Sequence, residues 1–97
     1  MDALSSELQR FLIHMGKASH LIDPKTEGYV RSLLKLLTVA DEQVLTQYYG
    51  LFGNQVQSLD SLAAHYGVTA EVMQQVIETC LRKLAVTPEW QMIKNKV

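Results

Sequence analysis

Apolar positions recur at three- and four-residue steps along the whole chain, the spacing that lines one face of an α-helix. Leu4, Leu8, Phe11, Leu12 and Met15 mark such a stripe on a first helix, which Gly16 and the polar run to His20 weaken. Asp23-Pro24 reads as an N-cap followed by proline at the first helical position. The helix it opens carries Val30, Leu33, Leu34 and Leu37 inward, while Glu27, Arg31 and Lys35 stand four apart outside as an ion-pair ladder. Thr38, with Asp41 three residues on, resembles a capping box with Asp in place of Glu or Gln. It starts a third helix with Val44, Leu45 and Tyr48 on one face, ending at Gly50.

Beyond a polar loop from Gly53 to Gln57, Ser58 caps a short fourth helix bearing Leu59, Leu62, Ala63 and Tyr66, which breaks at Gly67. Thr69 caps a fifth, longer helix whose inward set is Met73, Val76, Ile77, Cys80, Leu81 and Leu84. Thr87-Pro88-Glu89 repeats the cap-plus-proline start and predicts a brief last helix with Trp90 and Ile93. Strand-length alternation is missing. The predicted class is all-α, a compact helical domain of about five to six helices.

Composition narrows the field without changing that picture. Ninety-seven residues with 47% hydrophobic content support one modest core, not two. A mean hydropathy of +0.01 is that of an ordinary globular chain. No apolar run approaches the length of a membrane span, and MDALSSELQR lacks the basic start of a secretion signal, so no membrane partner and a cytoplasmic location are expected. One cysteine, Cys80, excludes a disulfide framework and a Cys-rich zinc site.

The stretch from Leu59 to Tyr66, the turn Gly67-Val68-Thr69 and the helix from Ala70 have helix-turn-helix spacing. Ala63 is small where two helices cross, Gly67 suits a positive φ, Val68 is placed to plug the turn, and Met73 and Val76 pack the second helix onto the first.

This segment resembles region 4 of bacterial sigma factors, the domain that reads the promoter −35 element and rests on the RNA polymerase β-flap. The likeness is carried by the Leu37-Thr38 start with its acidic first turn, the Tyr49-Gly50-Leu51 exit and Ser58-Leu59. It continues through Gly67-Val68-Thr69 and the closing Leu81-Arg82-Lys83-Leu84, and covers about Gly28 to Ala85. Nothing resembling the other sigma regions is present, so a free-standing relative of one domain is expected. The division is residues 1–23 as an amphipathic helix and candidate dimer or partner seam, 24–86 as the sigma region 4-like domain, and 87–97 as a short C-terminal helix.

The resemblance implies a promoter-acting transcriptional regulator that binds double-stranded DNA. Glu71, Gln74, Gln75 and Glu78 would lie in the major groove, with Thr69, Arg82 and Lys83 on the backbone. Glu71 and Gln75 match the family's base-facing positions; Glu accepts from cytosine N4 and Gln bonds adenine bidentately. The family's arginines, however, are replaced by Ala70, Val72 and Gln74.

Charge makes that departure sharper. Net charge is −1, but residues 36–81 hold no Lys or Arg against Asp41, Glu42, Asp60, Glu71 and Glu78, while residues 1–35 carry +1 and 82–97 carry +3. Affinity for DNA rests largely on neutralised phosphates. The missing contacts would have to come from Lys94 and Lys96, from flanking arms or from a homodimer. The alternative is a protein-interaction module that binds RNA polymerase, a sigma factor or another regulator with little DNA contact.

Enzymatic chemistry finds no footing in these residues, and neither cofactor nor metal is implied. His14 and His20, six apart, fall on different helix faces, and His65 stands apart from both. Gly50 and Gly53 lack the context of a phosphate loop. Tyr48, Tyr49 and Phe52 read as core and loop anchors, and Cys80 as an inert core residue.

Overall fold

A computed structural model describes residues 1–18 and 23–96. His20 lies outside the described residues. Six helices follow in order: α1 (Ala3–Lys17), α2 (Pro24–Leu34), α3 (Val39–Tyr49), α4 (Leu59–Tyr66), α5 (Ala70–Ala85) and α6 (Pro88–Lys96). No described residue is in a strand, and no described helix is long and apolar enough to cross a membrane.

Each helix begins on a side chain that accepts one of the backbone N–H groups left unpaired at a helix start. Asp23 accepts from Lys25 N–H at 2.8 Å, with Pro24 as the first helical residue. Thr38, Ser58, Thr69 and Thr87 accept from the N–H groups of Asp41, Ser61, Val72 and Trp90 at 3.1–3.2 Å. The sequence pattern names these five. It misses Asp2, whose carboxylate takes both the N–H of Ser5 at 2.8 Å and its hydroxyl at 3.1 Å.

α5 is the central element. It packs most extensively on α1 and α4 and also meets α3 and α6, while α2 closes against α6. Met73, Ile77, Cys80, Leu81, Leu84 and Ala85 are its buried face, and Val76 is half-buried at its edge. Leu8, Leu12 and Met15 of α1 join the same core, as do Trp90 and Ile93 of α6. The α1 stripe, read as a candidate dimer seam, is therefore occupied within its own chain; Leu4 alone of that stripe is exposed.

Several local expectations need correction. α2 ends at Leu34, so Leu37 contributes its half-buried side chain from the following turn. The Glu27–Arg31 rung forms at 3.0 Å, and the guanidinium also stacks 4.1 Å from the centroid of the Phe52 ring. That contact anchors a loop in which Phe52 itself has φ +55°. In α3 Tyr48 packs half-buried against the core as expected, and Tyr49 beside it is buried more deeply. Trp90, left open by the sequence, is a core residue beside the Phe11 ring, centroids 5.4 Å apart.

The α4–α5 corner closes through backbone geometry. Gly67 adopts φ +69°; its N–H donates to Ala64 O at 3.3 Å and that of Val68 to Ala63 O at 2.9 Å. This pair of bonds satisfies the last carbonyls of α4 in the Schellman manner. Val68 is 37% exposed and does not plug the turn. Those two hydrogen bonds set the turn, which leaves its side chain at the edge.

Gly16 admits a close approach of α1 to α3. A Cβ there would collide with the carbonyl oxygen of Tyr49, where α1 runs against the end of α3. On helix propensity alone Gly16→Ala would stabilise α1 by up to about 1 kcal/mol. The collision reverses the sign, and we predict a loss of about 1–3 kcal/mol by chemical denaturation. A rise in stability would show that α1 does not approach α3 this closely.

Candidate functional surface

α5 spends one face on the core, and the opposite face is the candidate surface. At 100° per residue, Glu71, Gln75, Glu78 and Arg82 fall within about 60° of one another. Glu71, Gln75 and Arg82 are exposed; Glu78 is half-buried, and its carboxylate accepts from Gln74 Nε2 at 3.4 Å. The structure thus brings four of the sequence-predicted residues onto one stripe, with Gln74 tied to its edge. Lys83 is exposed but displaced to the side facing α3. Thr69 lies at the helix start with its hydroxyl oxygen engaged by Val72 N–H.

Two of the cations expected to reach phosphates, Arg82 and Lys94, have partners. Arg82 Nε lies 3.6 Å from Asp2 Oδ2, and Lys94 Nζ lies 2.8 Å from Glu7 Oε1. These two C-terminal cations are thereby clasped to α1. Asp2 is held below the usual carboxylate range, first by the Ser5 N–H, then by the Ser5 hydroxyl, with Arg82 adding to both. A carboxyl whose pKa is lowered on folding contributes stability above its unfolded pKa, and that contribution fades as pH falls through its folded pKa. At neutral pH the Asp2 cap is fully charged and available to Arg82. Sequence reasoning missed this pairing; the Asp2-x-x-Ser5 cap pattern was visible, but nothing local ties it to Arg82.

Beside the stripe runs a groove of about 310 Å³ between the first turn of α3 and the wall of α5. Asp41, Val72, Gln75, Val76, Thr79 and Cys80 line it. Val72 is an apolar side chain and 42% exposed. Asp41 therefore belongs to the same recess as Gln75. Read from the sequence it is only a first-turn acid suited to the helix dipole.

Cys80 forms part of the groove floor, and its thiol is pushed up to about 11, chiefly by burial and with the contributions of Asp41 and Lys83 included. The Asp41 carboxylate raises it, against a smaller opposing pull from Lys83. Such a thiol is protonated at neutral pH and a poor nucleophile. His14 and His65 are exposed, the latter with its ring edge-on to Tyr66.

For Cys80 we predict that alkylation of the native protein at pH 8 runs about a hundredfold slower than in denaturant from thiolate fraction alone, and slower still through burial. Equal rates would place the thiol outside the core. Compared with known proteins, the chain matches no family model, no curated protein and no solved structure.

Proposed function

We propose that this chain is a sigma region 4-like helix-turn-helix module that serves transcription by binding protein: RNA polymerase, a sigma factor or another regulator. The observation that carries this reading is electrostatic. From residue 36 to residue 81 the chain holds five carboxylates and no Lys or Arg, and Arg82, the first cation on the α5 stripe, lies beside Asp2.

The magnitude decides between the readings. Each phosphate neutralised by a cation contributes about −0.9 to the slope of log K against log salt, and these contacts supply nearly all non-specific affinity. A corner whose residues 36–81 carry carboxylates and no Lys or Arg gains little of that, with only Arg82 and Lys83 toward the far end of α5 to offset its repulsion of the duplex. Exposed Val68 and Val72 at the start of α5 suit a protein contact instead, where apolar surface is what gains from burial.

A second reading, sequence-selective binding of double-stranded DNA, is favoured by one specific observation. Glu71 and Gln75 stand exposed side by side, both able to read base edges. The Arg82–Asp2 pair is solvent-exposed, so it is worth little and a phosphate would compete for the guanidinium.

The two readings separate in an anisotropy titration of labelled random duplex at low salt, run beside a pull-down of RNA polymerase subunits and sigma factor. The protein reading predicts duplex binding weaker than about 10⁻⁴ M, below the usual non-specific range, with a polymerase subunit or sigma factor retained. Under the DNA reading, Asp2→Asn frees Arg82, tightens binding and steepens the salt slope by about one phosphate contact. Steeply salt-dependent micromolar binding with that response to Asp2→Asn would overturn the protein reading.

A further inference from the structure

We propose that the groove between α3 and α5 docks a basic amphipathic helical segment of a partner protein. The inference rests on the protein-binding reading above and adds the site and the chemistry of its occupant.

Shape supplies the first part. The recess lies along the middle of α5, where Val72, Val76 and Cys80 follow one another at four-residue steps and form an apolar floor one helix face wide. Gln75 and Thr79 form the outer wall and Asp41 the opposite one. A row of apolar residues at helical spacing, set between two packed helices, matches the apolar stripe of a third helix.

Charge complementarity selects the occupant. Asp41 stands in the wall itself, Glu42 follows it on α3, and Glu71 stands one turn before Gln75 on α5. None of these three carboxylates forms an ion pair among the described residues. The nearest cation is Lys83, one turn beyond Thr79, where the α5 wall ends. An occupant flanking its apolar stripe with lysine or arginine would meet the Asp41 carboxylate in the wall, with Glu42 and Glu71 adding negative charge on the helices to either side. An acidic segment, or a phosphate backbone, would meet the same charges with the wrong sign. The apolar floor further disfavours a nucleic acid, which offers no aliphatic stripe to cover it.

The test uses the full ¹⁵N-labelled chain at physiological salt and four probes. These are a synthetic Leu/Lys peptide with leucines at helical spacing, the same residues scrambled, a Leu/Glu counterpart, and a random DNA duplex. The expected result is saturable shifts of the backbone amides of Asp41, Val72, Gln75, Val76, Thr79 and Cys80 with the patterned Leu/Lys peptide alone. Both Val72→Gln, which replaces an exposed side chain, and Asp41→Asn should weaken that binding about tenfold or more, with the remaining spectrum unchanged.

Non-saturating shifts spread over every acidic position, equal binding of the scrambled or Leu/Glu peptide, or shifts of the same amides by duplex would each overturn the proposal. If a polymerase subunit or sigma factor is retained equally by wild type, Val72→Gln and Asp41→Asn, the groove assignment fails while the protein-binding reading stands. Retention of neither in wild type removes that reading itself.

Discussion

The structure depends on the division of α5 into two faces. One face must be apolar enough to serve as the common packing surface for α1, α3, α4 and α6, and Met73, Ile77, Cys80, Leu81, Leu84 and Ala85 meet that demand. Because 3.6-residue periodicity fixes which side chains point inward, it also fixes which point outward. The fold determines that Glu71, Gln75 and Arg82 are presented together. What they can bind then depends on charge, which packing leaves unconstrained.

Charge is distributed by a different logic from packing. The cations lie toward the two ends of the sequence, and the fold brings two of the C-terminal ones against α1, where Asp2 meets Arg82 and Glu7 meets Lys94. Both pairs are partly exposed, so their value to stability is small. Their effect is on the surface: carboxylates of the N-terminal segment take up Arg82 and Lys94, and the carboxylates of residues 36–81 gain no cation from either.

Much of the architecture was legible from sequence because its signals are local. A threonine, serine or aspartate before an apolar run announces a helix start within three residues, and five of the six starts could be read that way. The buried set of α5 follows equally from spacing. What escaped reading depends on approach between distant segments. Gly16 looked like a weak point in α1, whereas its missing side chain admits the carbonyl of Tyr49. Val68 looked like a plug because a valine after Gly67 has that pattern, yet the hydrogen bonds to Ala63 and Ala64 already close the turn. The candidate surface was half legible: its outward residues followed from periodicity, but the Asp41 wall and the Asp2 clasp on Arg82 required the tertiary fold.

The central claim is that the missing cations alone separate this corner from one that binds DNA. Restoring them tests it directly, through Ala70→Arg, Val72→Arg and Gln74→Arg combined at the three positions where the resemblance implies arginine. The measurement is duplex affinity as a function of salt for the wild type and this triple variant. The variant is expected to acquire duplex binding, with a salt slope steeper than the wild type's by about 2.7, the value for three new phosphate contacts. A variant that binds duplex no better than the wild type would contradict it.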